Sequence, residues 1–422
     1  MTDLNGSELT RFLFAITVLL AAAHSIGSLF EKLRMPRVIG ELTGGMLLGP
    51  TVLGWLAPGV HAWLFTAFPA EGKLIGAICW IGLALLMFIS GFEMQRSLSR
   101  GDLRLVLSIV LGATSLCLLA GWFLYSAYDF SGYFGVRGHE LAFRLVLAIA
   151  IAVTSIPVIS KIFIDLDIIQ TRFAKIVVAA ATVEDVMLWA VLAVATALAQ
   201  GTSVSVFEIG SRVAITLAFF GVALFAAPAL LRAVSHRSLN AWLGFSPSGF
   251  ALLMCFLMAA VASVLNVNLV FGAFVAGILL GTMPEQQLAP VKKHIKDFSL
   301  AFFIPIYFAV VGLKLGLIHH FDLLPFVGFI AFATVVKAIG TAAAASFAGE
   351  DWRSSINFGI AMNARGGPGI VLASIGLEIG IINESFFSIL VMTAVLTSLG
   401  AGYWLKRATM RHTAWMLKET RI

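Results

Sequence analysis

Apolar stretches of roughly 20 residues, the length an α-helix needs to cross a hydrocarbon core about 30 Å thick, recur from one end of this chain to the other. No soluble core absorbs so much apolar surface: 60% of the 422 residues are hydrophobic and 12% charged, where a soluble domain carries about 25% charge. The membrane is therefore the solvent. Breaking the runs at Gly, Pro and charge predicts an all-α polytopic protein of thirteen transmembrane helices. They fall at roughly 10–30, 37–56, 73–94, 103–126, 140–164, 171–199, 205–231, 246–264, 267–283, 297–318, 322–348, 353–380 and 384–405. The first run lacks a basic n-region and a cleavage site and is read as a retained span. Cys79, Cys117 and Cys255 stand singly in apolar stretches, with no spacing for a disulfide or zinc site.

The net charge of +6 suggests nucleic acid until its placement is read. One set of loops holds Lys32, Arg34, Arg37, Arg96, Arg100, Arg104, Lys161, Arg172, Lys175, Arg232, Arg237, Lys292, Lys293, Lys296 and Arg353, joined by Lys406, Arg407, Arg411, Lys418 and Arg421 of the tail. Loops of the other parity hold Arg11, Lys73, Arg137, Arg144, Arg212 and Lys314. The positive-inside rule then places the N-terminus outside and the C-terminus in the cytoplasm, in a plasma or inner membrane. The bilayer, not nucleic acid, is the partner of this charge pattern. No loop is long enough for a soluble domain, so residues 1–422 read as one transmembrane domain. It divides into a first half over 10–199, a linker helix at 205–231, a second half over 246–405 and a short cytoplasmic tail at 406–422. No pattern calls for a cofactor or marks an enzyme.

The halves resemble each other. Gly45-Met-Leu-Leu-Gly49 in the second span matches Gly277-Ile-Leu-Leu-Gly281 in the ninth, and Gly91-Phe-Glu-Met94 in the third matches Gly312-Leu-Lys-Leu315 in the tenth. An offset of seven spans is odd, so the copies run in opposite directions, the inverted repeat of many secondary transporters. Thr154-Ser155-Ile156-Pro157 interrupts the span at 140–164, and Asn363-Ala-Arg365-Gly366-Gly367-Pro368-Gly369 interrupts the span at 353–380, again seven spans apart. Such breaks are ordinary proline kinks in packed helices or, as a matched pair, the pointer to a transporter's binding site.

An ionisable residue near the bilayer centre costs roughly 2.5–3.5 kcal/mol on insertion scales and is a functional candidate by default. Glu184, Asp185, Lys337 and Arg365 qualify. A carboxylate that binds a hard monovalent cation with oxygen neighbours takes a proton in its place when desolvated, so cation and proton compete for one charge. Asp185 is assigned to the ion with Thr154 and Ser155 as further oxygen ligands. Glu184 is assigned to pairing with Lys337, because neighbours on a helix point about 100° apart. That pair either tunes charge or simply locks packing. Glu41 is considered as a brace for Arg365, a cap on a broken half-helix, or a structural acid. His24 reads as a packed residue, and Glu93, Glu208 and Glu378 as residues reaching the interface.

Met35-Pro-Arg-Val-Ile-Gly-Glu41 leading to Gly45-Met-Leu-Leu-Gly-Pro50, Leu86-Met-Phe-Ile-Ser-Gly-Phe-Glu93, Val311-Gly-Leu-Lys314 and Arg365-Gly-Gly-Pro-Gly-Ile-Val-Leu372 together resemble the second monovalent cation/proton antiporter family, within the sodium/proton exchanger superfamily. The resemblance covers nearly the whole chain. It implies a homodimer of thirteen-helix subunits with two broken helices crossing at the midplane. It also implies a core that carries the ion across like an elevator. By position Asp185 matches the family's nearly invariant aspartate, Thr154 and Ser155 its first polar break, and Lys337 the basic partner found in electrogenic members. Two departures stand out. Glu184 occupies a position where the family usually has Asp, Asn or Gln, and Gly367 and Pro368 stand where many members carry an acid after the arginine. The lack of a soluble regulatory tail argues against a ligand-gated potassium efflux system.

The expected function is exchange of sodium or potassium for protons. The alternatives are an ion-coupled transporter of a small organic solute on the same fold and a cation channel, the latter disfavoured by a single buried acid pair. An intramembrane hydrolase is disfavoured by the scattered histidines.

Overall fold

The computed structural model describes residues 5–33, 35–92, 100–199, 246–265, 267, 269–281, 285–317 and 321–411, with scattered positions between 211 and 221. Among these the regular elements are helices, with one isolated bridge between Phe134 and Ile382. The chain begins with α1 (Gly6–Lys32), α2 (Arg37–Leu48), the short α3 (Leu53–Leu56) and α4 (Pro58–Phe65), and α5 (Glu71–Phe92). Next come α6 (Arg100–Ala127), α7 (Glu140–Ala152), α8 (Ile156–Asp165) and α9 (Arg172–Ala199). The linker helix expected at 205–231 lies outside the described residues but for those scattered positions, as do Glu93 and Glu208. The second half holds α10 (Pro247–Val264), α11 (Leu269–Leu280), α12 (Glu285–Ala301), α13 (Phe303–Leu313), α14 (Leu323–Phe347), α15 (Trp352–Ala361), α16 (Gly366–Ile379) and α17 (Glu384–Arg411).

Eight of the described helical stretches are long and apolar enough to cross a membrane, and α11 and α16 are shorter apolar helices. Local chemistry sets several ends. Asn5 and Glu8 close α1 with a reciprocal capping box, both bonds 2.9 Å. Gly380, at φ 81°, ends α16 in the left-handed conformation that glycine adopts freely. Two spans differ from the sequence-based expectation. The one expected at 37–56 stops being helical at Leu48, since Gly49-Pro50 cannot continue it. The one expected at 297–318 is two helices, α12 and α13, joined at Phe302.

The described residues form two compact units, and each draws on both halves of the sequence. One gathers α1 to α5 with α10 to α13; the other gathers α6 to α9 with α14 to α17.

In the first unit, α2 crosses α13 and α5 crosses α11 at backbone contact. A Cβ added at Gly45 would stand 1.8 Å from the carbonyl oxygen of Ala309, and one at Gly312 would stand 2.0 Å from that of Leu42. A Cβ at Gly277 would stand 2.1 Å from the oxygen of Phe88, and one at Gly91 would stand 2.2 Å from that of Phe274. Every residue struck lies three positions before the partner helix's own glycine. The same crossing therefore occurs twice, with first-half and second-half partners exchanged, as a two-fold internal repeat requires.

The bend between α12 and α13 has a specific cause. Pro305 has no N–H to bond the carbonyl of Ala301 four residues earlier. That oxygen instead lies 2.9 Å from Nε2 of His24 in α1. His24 Nδ1 is 2.5 Å from Nη2 of Arg37, whose Nε donates to Glu41 at 3.0 Å. A guanidinium can only donate and a carbonyl only accept, so the His24 proton sits on Nε2 and Nδ1 accepts. His24 is thus a tie between helices, more than a packing residue.

In the second unit, α6 packs on α7 as α14 packs on α15, and α6 and α14 pack on each other. Its apolar core includes Ile109, Ile159, Phe163, Phe173, Val177 and Phe358. At one edge Arg172 joins Asp102 and Glu350, each at 2.8 Å.

Filling the glycine crossings should break the first unit. Gly45→Val or Gly312→Leu drives a side chain into backbone, which no rotamer change relieves, and should cost at least about 1–3 kcal/mol. Gly76 has open space around its Cβ direction inside α5, so Gly76→Ala should cost nothing and raise stability by up to about 1 kcal/mol through helix propensity. Thermal unfolding of the detergent-purified protein distinguishes the two.

Candidate ion site in the crossed helix breaks

Both predicted interruptions are real gaps in helical structure. Helix α7 stops at Ala152, Val153 turns to an extended conformation, and α8 restarts at Ile156, with Ser155 Oγ accepting from Val158 N–H at 3.4 Å. Helix α15 stops at Ala361 and α16 restarts at Gly366. The two gaps meet: Ser155 N–H donates to the carbonyl of Ala364 at 2.5 Å, and Thr154 Oγ1 lies 2.7 Å from that of Met362. Gly366 N–H, at the start of α16, donates to Ser398 Oγ of α17 at 3.0 Å.

A helix that ends inside a membrane leaves its last carbonyls without partners and presents the negative end of its dipole. In α7 those of Ala150, Ile151 and Ala152 each meet a cation. Arg365 Nε donates to Ala150 O at 3.2 Å and its Nη2 donates to Ile151 O at 3.1 Å. Lys337 Nζ, from α14, donates to Ala152 O at 2.5 Å. The remaining guanidinium protons reach Ala333 O at 2.8 Å and Asn363 Oδ1 at 3.0 Å, with a longer contact to Asn363 O at 3.5 Å. Asn363 is in turn fixed by donating to Thr334 O and Gly359 O.

Glu41 therefore does not brace Arg365. It pairs with Arg37 within the first unit, while Arg365 is satisfied by carbonyl dipoles and the Asn363 amide. The carbonyls freed by the break supply what a carboxylate was expected to.

Glu184 and Lys337 form a fully buried ion pair, both side chains being 0% exposed. The same Oε1 accepts from Thr114 Oγ1 at 2.8 Å, and Oε2 lies 2.6 Å from Thr154 Oγ1. The Thr154 hydroxyl has one proton and two acceptors, Glu184 Oε2 and Met362 O, so it serves one at a time. Asp185, next along α9, is 3% exposed, and its Oδ1 has no hydrogen-bond partner. The structure thus gathers Glu184, Lys337 and Thr154 around one carboxylate, and Arg365 with the end of α7. It leaves Asp185 buried with an unclaimed oxygen. Sequence reasoning missed Thr114, whose only signal was a hydroxyl at the middle of an apolar span, and Asn363, which was visible in the break without a role.

Helices broken at depth, with charged side chains on their ends, define a membrane transporter of the crossing-helix kind. This chain belongs to the sodium/hydrogen exchanger family, matching its transmembrane domain over residues 15–411. It is 30% identical over 409 residues to K(+)/H(+) antiporter 1 of Saccharomyces cerevisiae, covering 93% of this chain and 46% of that protein. It is 25% identical to the Na(+)/H(+)-K(+) antiporter GerN of Bacillus cereus, covering 92% of this chain and 94% of GerN. These relatives are transporters and not enzymes. The fold is similar to that of the sodium proton antiporter MjNhaP1 from Methanocaldococcus jannaschii, with a TM-score of 0.66 at 16% identity over 97% of this chain and 100% of that one. The chain spans about half the length of the yeast relative.

Removing one member of the buried ion pair should be worse than removing both. Lys337→Met strands the Glu184 carboxylate and should lower stability by about 3–5 kcal/mol, whereas Lys337→Met with Glu184→Gln should recover most of that loss. Thermal unfolding of the single and double variants reads the difference.

Proposed function

We propose that this chain is a secondary active antiporter that exchanges a small monovalent cation, sodium or potassium, for protons. The observation that carries the reading is the contrast between two adjacent buried acids. Glu184 has both oxygens engaged and a lysine beside it, while Asp185 has an oxygen with no partner. A desolvated carboxylate with a free oxygen suits alternate occupation by a hard cation and a proton, and that competition couples the two fluxes without further machinery. Thr154 and Ser155, at the first break, are the neighbouring oxygen ligands in this reading. Lys337, Arg365 and Glu184 set the charge of the surroundings. The names of the yeast and Bacillus relatives support the same cations.

The finer reading is elevator-type alternating access, in which the body carrying the crossed breaks moves with its ion. The protein works as a homodimer, each subunit built from two inverted halves, 10–199 and 246–405, in the plasma or inner membrane, with the N-terminus outside and the C-terminus in the cytoplasm. The basic loops support that orientation.

The test uses purified protein in liposomes that hold a pH-sensitive dye and an imposed proton gradient. Pulses of sodium, potassium or lithium should dissipate the gradient for the wild type and leave it intact for Asp185→Asn; the responding ion names the substrate. A wild type that responds to no cation at any pH overturns the reading, and labelled solute uptake becomes the next assay.

A further inference from the structure

Several threonines inside the helices of this protein bond their own backbone, while the buried hydroxyls of Thr341 and Thr393 have no hydrogen-bond partner. Thr43, Thr182 and Thr397 each donate to the carbonyl four residues earlier, at 2.7 to 2.8 Å. Thr114, 1% exposed in the middle of α6, donates across to Glu184 Oε1 of α9 at 2.8 Å. The contact joins residues 70 apart in sequence and falls on the oxygen that also receives Lys337. The other hydroxyl at this carboxylate, that of Thr154, is shared with Met362 O. Thr114 is therefore the neutral donor committed to Glu184.

We propose that Thr114 is a positioning residue of the ion site: its hydroxyl holds the Glu184 carboxylate against Lys337, turned away from Asp185, so that a transported cation meets one carboxylate. The inference rests on the functional reading given above. Glu184 and Asp185 are adjacent on α9 with side chains about 100° apart. The glutamate arm has three torsions and is long enough to swing once a tether is lost. Oxygen sites bind hard cations more tightly as carboxylates are added. A second carboxylate at the ion would thus deepen binding and slow release.

The test compares Thr114→Val, which keeps the shape and loses the hydroxyl, with Thr114→Ser, which keeps the hydroxyl. In exchange assays Thr114→Val should lower both the apparent KM for the cation and kcat, by roughly tenfold or more, the effect of losing one hydrogen bond to a charged group. Thr114→Ser should stay near the wild type. A merely structural role would reduce activity with KM unchanged or raised. Cation affinity is also read without transport, from the sodium or potassium concentration at which the unfolding temperature of the purified protein rises. That midpoint should fall in Thr114→Val. A thermal double-mutant cycle of Thr114→Val with Glu184→Gln should be non-additive. Should Thr114→Val fail to fold, Thr114→Cys carries the same comparison.

An unchanged or weakened midpoint in Thr114→Val, a serine variant that behaves as valine does, or an additive cycle overturns the proposal. A wild type that exchanges no cation overturns the functional reading instead, and the binding midpoint and the cycle still decide the role of Thr114.

Discussion

A hydrocarbon interior offers no partner to a carbonyl, so a helix that stops inside it must find donors within the protein. The end of α7 is where this structure meets that constraint. Three successive carbonyls, those of Ala150, Ile151 and Ala152, are released by the break, and two cations from elsewhere in the sequence cover them. Much of the site follows. Placing Lys337 at the end of α7 brings a full charge into the membrane, which is tolerable with an anion beside it, and Glu184 supplies that anion. With Glu184 so engaged, Asp185 is the neighbouring acid left with a free oxygen.

The first unit faces a different requirement. Helices in a bilayer gain nothing from burying apolar surface against one another, because lipid is as apolar as leucine, so close packing must come from small residues that let backbones touch. Gly45, Gly91, Gly277 and Gly312 provide it at two equivalent crossings, where a Cβ would fall within 1.8 to 2.2 Å of a carbonyl oxygen. His24 and Arg37 add polar ties at the bend that Pro305 forces between α12 and α13.

The sequence was most legible where one residue type has one physical use. Pro, Gly and hydroxyl clusters announced the breaks at Thr154–Pro157 and Asn363–Gly369, and a lysine beside two acids in apolar runs announced the Glu184–Lys337 pair. The repeated glycine patterns announced the internal repeat, and the crossings add which helices its glycines bring together. What stayed hidden depends on carbonyls, which every residue carries and no sequence pattern marks. Sequence therefore offers only an acid such as Glu41 as a partner for Arg365, whereas a carbonyl cage satisfies the guanidinium. Thr114 was hidden for a related reason. A threonine in an apolar span defaults to bonding its own helix, and its turn toward Glu184 depends on how α6 and α9 pack.

The two buried cations are not interchangeable, and the geometry says why. Arg365 must satisfy acceptors spread over three elements, Ala150 and Ile151 in α7, Ala333 in α14 and Asn363 in the break. A planar fork of five donors reaches that many, and it holds its charge when buried. A lysine at the same place, with three donors on one nitrogen, would leave carbonyls unpaired. Lys337 meets the opposite demand, since one carboxylate and one carbonyl converge there on a single point, which suits a compact ammonium.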